Sequence, residues 1–262
     1  MQDTHPARFF RPEHVDLELV SVAYRERTFP VHIHEQFVIG AVESGAETLE
    51  THGKTYHVSL GDIITINPDQ AHANSAFGDE VLRYRVFYLP ETLVSSFTDR
   101  SGLRFARPKV ENPSGAARLI ELHRWMEAGK GDRLEQELAV AKIIDIAFDA
   151  AGSMEQTPEM PDRINRAREF IERHFCENFG LEELADAAGI SKFHLARSFR
   201  KTHGLSPIAY RTQRRIREAK RLILEGHPLA DVATDLGFAD QSHFTRQFQA
   251  TVGISPSLYR EQ

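Results

Sequence analysis

Residues 184–211 and 232–260 are two copies of one pattern, and this repeat constrains the fold more than any other feature of the chain. LADAAGI (184–190) matches VATDLGF (232–238) at an offset of 48. After one inserted residue the offset is 49, pairing His194 with His243, Leu195 with Phe244, Arg197 with Arg246 and Phe199 with Phe248. It continues from GLSPIAYR (204–211) to GISPSLYR (253–260). A dozen physically matched positions in register define a structural unit of about 30 residues, used twice.

Each copy reads as two helices joined by a tight turn. A short helix (181–188; 229–236) runs into Gly189 or Gly237, where a residue without a Cβ can take the left-handed conformation. A second helix starts at once, with Ser191 or Asp240 placed to cap it, which is the spacing of a helix-turn-helix. Leu184, Ala185, Leu195 and Phe199, and their counterparts Val232, Ala233, Phe244 and Phe248, form the inner face. Phe193, Ala196, Arg197 and Arg200 remain outward in the first copy, and Gln241, Ser242, His243, Thr245, Arg246 and Gln249 in the second. Arginine and glutamine there have the donor geometry that reads guanine and adenine edges in a major groove. Pro207 starts a helix that Gly226 ends, giving 207–225 a length of about 28 Å, close to the ~34 Å of one DNA turn. One chain is thereby expected to read two adjacent half-sites.

The net charge of -6 suits a nucleic-acid binder only when it is divided. Residues 1–160 carry 16 basic and 25 acidic side chains, whereas 161–262 carry 16 and 13. Arg211, Arg214, Arg215, Arg217, Lys220 and Arg221 crowd one segment, and the expectation is phosphate contact, with a solvated helix face as the alternative.

Residues 17–90 change character. Runs rich in Val, Ile, Phe and Tyr (17–24, 37–42, 63–66, 81–88) alternate with Gly, Asn, Asp and Pro, as strands of a sandwich or small barrel do. Two amphipathic helices are predicted at 115–129 and 132–151, the first with Ala116, Leu119, His123 and Met126 inward, the second with Leu134, Leu138, Ala141 and Ile144. The expected organisation is a two-domain α+β chain: residues 1–151, a linker over 152–162 and a helical domain over 163–262.

The tandem pattern, and above all GFADQSHFTRQFQATVGISPSLYR (237–260), resembles the C-terminal signature of AraC/XylS-type regulators over about 165–260. That resemblance implies DNA contact through the outward residues named above, Ala196 standing where a polar residue is common. HIHEQFVIGAVESG (32–45), GDIITINPDQAH (61–72) and RYRVFYLP (83–90) resemble the cupin-like effector domain of the same family. The resemblance implies an interior effector site with Tyr24, His32, His34, His72 and Tyr84 as inward candidates, dimerisation through the helix pair, and activation of transcription together with RNA polymerase. Metal-binding cupins add a glutamate to such a histidine trio. Here Val38 and Ile39 occupy its positions and Glu35 faces the other way, so an organic effector is favoured over a metal at His32, His34 and His72. Arg25 or Arg83 would clamp a carboxylate effector, and stacking aromatics would suit a sugar.

No run is long and apolar enough for a bilayer span, and Met1–Phe10 lacks a secretion pattern, so a cytoplasmic protein is expected. No catalytic triad or phosphate loop is present, so no enzyme is expected. Two further readings stay open: a cupin metalloenzyme with an attached DNA-binding domain, and an alkyl-transfer protein using the single cysteine, Cys176, as nucleophile.

Overall fold

The computed structural model describes residues 7–98, 102–155 and 162–262. The chain divides into two compact units: residues up to 157 apart from Phe29–His32, and residues from 158 onward together with Phe29–His32, which are hydrogen-bonded into a strand of the β-rich part.

The first unit begins with nine strands: β1 (Ala7–Phe10), β2 (Glu18–Tyr24), β3 (Thr28–His32), β4 (Phe37–Ser44), β5 (Ala46–Thr51), β6 (Lys54–Ser59), β7 (Asp62–Ile66), β8 (His72–Phe77) and β9 (Leu82–Leu89). Helix α1 (Glu91–Thr98), short strands β10 (Leu103–Phe105) and β11 (Lys109–Glu111), and helices α2 (Pro113–Glu127) and α3 (Arg133–Ala151) follow, then β12 (Ser153–Glu155). A six-stranded sheet has the order β1-β2-β9-β4-β7-β11, a four-stranded sheet the order β3-β8-β5-β6, and β10 pairs with β12. Because strand side chains alternate, one face of the larger sheet supplies Leu19, Phe37, Ile39, Ala41, Ile63 and Phe87 to a core shared with α2 and α3, and the other face looks toward the smaller sheet.

Helix α2 starts at Asn112, whose side chain accepts from the Gly115 amide, and α3 at the Asp132–Glu135 capping box. The inward face of α3 differs from the one its spacing predicts. Ala139, Val140, Ile143, Ile144 and Ala147 are buried, while Leu134 and Leu138 are 63% and 57% exposed. Alanines complete the buried stripe, so the larger leucines mark the wrong side. Ser153–Glu155, predicted as linker, pairs with Leu103–Phe105 and belongs to the first unit; residues 156–161 of the same stretch lie outside the described residues.

The second unit is helical: α4 (Asp162–His174), α5 (Leu181–Ala188), α6 (Lys192–His203), α7 (Pro207–Leu224), α8 (Leu229–Asp235), α9 (Gln241–Val252) and α10 (Pro256–Arg260). The repeat is reproduced cap by cap. Ser191 Oγ accepts from the His194 amide and Asp240 Oδ1 from the His243 amide, and Ser206 and Ser255 cap the two Ser-Pro starts. Gly189 and Gly237 hold φ of 68° and 70°. The matched pairs Leu184/Val232, Ala185/Ala233, Leu195/Phe244, Phe199/Phe248 and Tyr210/Tyr259 are all at most 2% exposed, so each repeat buries the same wedge of side chains.

Helix α7 joins the two repeats through its arginines. Arg215 is buried, with Nε donating to the Phe175 carbonyl at 2.6 Å, Nη1 to Gly237 at 2.5 Å, and Nη2 to Glu177 at 2.8 Å and Asn178 Oδ1 at 3.2 Å. Arg211 donates to the Phe179 carbonyl at 2.8 Å and lies 4.5 Å from the centre of the Phe179 ring. Arg214 pairs with Glu172 at 2.9 Å over the Phe175 ring, Arg217 reaches the same carboxylate at 3.4 Å, and Arg221 pairs with Glu218 and Glu225. Lys220 sits 5.3 Å from the centre of the Tyr259 ring. The cations of α7 are thus spent on internal partners.

Removing the Arg215 side chain leaves several buried acceptors without a donor, so Arg215→Ala is expected to destabilise the helical unit by about 3 kcal/mol or more. Gly237→Ala should destabilise it as well, because a Cβ there would lie 2.2 Å from the Cys176 carbonyl at a φ of 70°. Urea unfolding of the full chain followed by circular dichroism checks both; a change below about 0.5 kcal/mol would contradict the tethering role.

Candidate nucleic-acid interface and interior site

The outward faces of α6 and α9 are built by the caps and buried wedges that fix each helix. Phe193, Arg197, Arg200, Gln241, Ser242, Arg246 and Gln249 are exposed, and Ala196, His243 and Thr245 are half-buried. Phe193 is 75% exposed, an unusual position for a large apolar ring. Among the described residues, Arg197, Arg200 and Arg246 enter no side-chain hydrogen bond or ion pair, in contrast to the arginines of α7. The matched histidines have separated: His194 is exposed and lies within 3.4 Å of Ser198 Oγ, whereas His243 packs on Phe238 at 5.7 Å.

In the first unit the structure gathers the predicted interior residues into two neighbouring groups. Tyr24 meets Tyr84 edge-on at 6.3 Å, and His34 lies 5.2 Å from His72 and 4.9 Å from Tyr88, ring centre to ring centre. His32 closes β3, and His34 lies beyond its end. Nonetheless the ligating nitrogens of His32, His34 and His72 lie within 4.8 Å of one another. Nδ1 of His32 is 2.8 Å from the Pro30 carbonyl and Nδ1 of His72 is 2.9 Å from the Gln70 carbonyl, which makes Nε2 the acceptor nitrogen of each ring. Burial pushes the His32 imidazole below its usual range and keeps it neutral. These three residues could hold a metal through nitrogen alone.

Sequence reasoning missed the polar residues of the smaller sheet. Glu47 on β5 is 2% exposed and accepts from Asn74 Nδ2 at 3.1 Å; the same nitrogen lies 3.4 Å from Tyr24 Oη. Thr51 and Gln70 hydrogen-bond each other at 3.0 Å near His72. The available signal was the alternation in AETLET, which puts Glu47, Leu49 and Thr51 on one face. Burial pushes the Glu47 carboxyl up to about 7, against the lowering effect of the Asn74 hydrogen bond. Burial, with the Glu47 charge beside it, also drives the Tyr24 hydroxyl far above its ordinary value. Arg25 and Arg83, the expected carboxylate clamps, are exposed; Arg83 instead lines an outer cavity of about 110 Å³ with Arg8, Ser21, Glu43, Arg85 and Glu127.

These two arrangements define a class: a transcription regulator that joins a ligand-binding β unit to a DNA-binding unit with two helix-turn-helices. The chain matches the model of the AraC-like ligand binding domain over residues 14–144 and that of a helix-turn-helix domain over 184–262. It is 30% identical over 236 residues to the uncharacterised HTH-type transcriptional regulator YbfI of Bacillus subtilis, covering 87% of this chain and 86% of YbfI. It is 23% identical to the HTH-type transcriptional activator RhaS of Citrobacter koseri, covering 83% and 82%. An apo structure of ToxT from Vibrio cholerae superposes with a TM-score of 0.64 at 14% identity, covering 96% of this chain and 99% of that one. The chain belongs to the AraC family of transcriptional regulators.

The interior carboxyl makes the first unit pH-sensitive. Glu47 titrates near 4.5 when unfolded and near 7 when folded, so between those values the folded unit holds a proton the unfolded chain has released. Its stabilising contribution is full below the lower value and is lost as pH rises through the upper one, by up to about 3 kcal/mol. Urea midpoints at about pH 5 and about pH 8 should differ in this sense for the native chain and converge in Glu47→Gln; equal pH dependence in the two proteins would contradict the assignment.

Proposed function

We propose that this regulator is a cytoplasmic, effector-controlled activator that reads two adjacent half-sites with α6 and α9. The observation that carries this is the sorting of arginines: those of α7 are held internally, while Arg197, Arg200 and Arg246 stand exposed on the second helices of the two repeats. Arg246 has Gln241, Ser242, Thr245 and Gln249 around it, a richer donor and acceptor set than Phe193, Ala196, Arg197 and Arg200 provide. We therefore assign most of the base discrimination to α9 and proportionally more backbone contact to α6.

The effector is a small organic molecule held between the two sheets, by Tyr24, Tyr84, His34 and His72, with His32, Glu47, Asn74 and Tyr88. One solved relative in fold, ToxT, was determined with an unsaturated fatty acid bound. Leu134 and Leu138, exposed on α3, support dimerisation of the chain through that helix, and activation would proceed through RNA polymerase. Among the described residues, no residue set favours an enzyme. Cys176 lies beside Arg215, yet burial raises its thiol, which disfavours the alkyl-transfer reading that the repair-enzyme relative AdaA of Bacillus subtilis, 32% identical over 85 residues, brings to mind.

Selection of genomic fragments by the purified protein at about 150 mM salt, against random competitor DNA, is expected to recover sites with paired half-sites about one turn apart. Arg246→Ala should weaken binding to such a site by about 1–3 kcal/mol, relax preference at one base position and leave folding stability unchanged. An equal loss on specific and random DNA would refute base reading by Arg246, and absence of any enriched sequence, with or without genomic metabolite extract, would refute the two-half-site reading.

A further inference from the structure

Three carboxylates are buried among the described residues of the first unit: Glu18, Asp62 and Glu47. Glu18 pairs with Arg11, and Asp62 with Lys109 at 3.1 Å. Glu47 has no cationic partner among the described residues; its partner is the neutral amide of Asn74. A desolvated carboxylate costs several kcal/mol unless a proton or a cation accompanies it, so this group is structurally incomplete in a way the other two are not.

What surrounds Glu47 narrows the kind of group that would complete it. Four strands converge: Glu47 from β5 and Asn74 from β8 in the smaller sheet, Tyr24 from β2 and Tyr84 from β9 in the larger. Since Asn74 spends Nδ2 on Glu47 and Tyr24, its Oδ1 is left to accept. The Tyr24 and Tyr84 rings meet edge-on beside it, at 6.3 Å between centres. Arg27, half-buried, acts electrostatically on Tyr24 and Tyr84. Anionic ligands would find the carboxylate in their way, and the exposed Arg25 and Arg83 offer them no interior clamp.

We propose that the effector carries a protonated amine, which pairs with the Glu47 carboxylate between Tyr24 and Tyr84 while Asn74 fixes the carboxylate's orientation. This rests on the reading of the space between the sheets as the effector site, and it assigns that site a chemical class. Glu47 supplies the charge, the tyrosines supply ring faces, and the rest of the ligand lies toward the His34, His72 and Tyr88 group.

The test titrates the full chain with three matched probe sets: butylammonium, cyclohexylammonium and benzylammonium, the corresponding alcohols, and the corresponding carboxylates. Binding is read by calorimetry and by protein NMR shifts at Tyr24 and Tyr84. At least one ammonium probe is expected to bind at least tenfold more tightly than its alcohol and carboxylate counterparts, and to lose that advantage in Glu47→Gln while keeping part of it in Glu47→Asp. Thermal unfolding of Glu47→Gln confirms that the variant is folded. Ammonium binding that is indifferent to Glu47→Gln, or no ammonium binding at all, overturns the proposal. Alcohols or carboxylates that shift the tyrosines as strongly as the amines overturn it too, but leave the interior effector site standing. If genomic metabolite extract and every probe leave the tyrosine signals unmoved, the effector-site reading falls with it.

Discussion

One buried guanidinium holds the DNA-binding unit together. Arg215 projects from the middle of α7 into the gap between the repeats, and its donors are shared among the carbonyls of Phe175 and Glu177 ahead of α5, the Asn178 side chain, and Gly237 in the turn of the second repeat. A planar group with five N–H donors is the one side chain that can serve acceptors on several sides at once. Burial, reinforced by Arg211, holds its pKa down to about 10, so it stays charged at neutral pH. The placement of α5 and of the α8–α9 turn on a common helix therefore depends on this residue. Gly237 is bound to it in turn: only a residue without a Cβ lets the Cys176 carbonyl and the guanidinium approach so closely.

The same dependence shows what a charge count leaves out. Counting cations locates α7 correctly as the most basic segment, but counting is blind to partners. Arg211 and Arg215 lie one helical turn apart beside the buried Ile216 and Ala219, a placement that points inward; Glu218 and Glu225 stand at neighbouring turns, and Glu172 reaches across from α4. The exposed Arg197, Arg200 and Arg246 lie one or two residues beyond buried Leu195, Phe199 and Phe244 on α6 and α9, where the repeat makes the inward side unambiguous. Legibility in this unit came from duplication: each cap, glycine and wedge residue was seen twice, so the helix boundaries and the outward face followed with little freedom.

The first unit had no such second copy, and its two sheets were unequally legible. Strands β2, β4, β7 and β9 belong to the larger sheet, which is covered by α2 and α3 on one face and by the smaller sheet on the other, and they read as apolar runs. Strands β5, β6 and β8 read AETLET, KTYHVS and HANSAF, with polar residues both outside and inside, and nothing in their composition separates them from loops. Glu47 and Asn74 were lost with those strands. Helix α3 failed in the opposite sense, since its leucines lie outward and its small alanines inward; hydrophobicity ranks the leucines first although packing against a sheet selects the alanines.

A buried charge can serve structure or function according to whether the protein itself completes it. Arg215 is completed several times over by backbone carbonyls, and the result is a fixed relation between two helices. Glu47 is held in place by one amide and has no cation paired with it among the described residues, so once it loses its proton the interior of the β unit carries a cost that these partners do not remove. Any molecule that supplies the missing charge gains affinity from that cost and, by linkage, stabilises the folded unit it binds. A site of this kind responds to its ligand through the same free energy by which it recognises it, which is what a ligand-controlled regulator requires of its sensing unit.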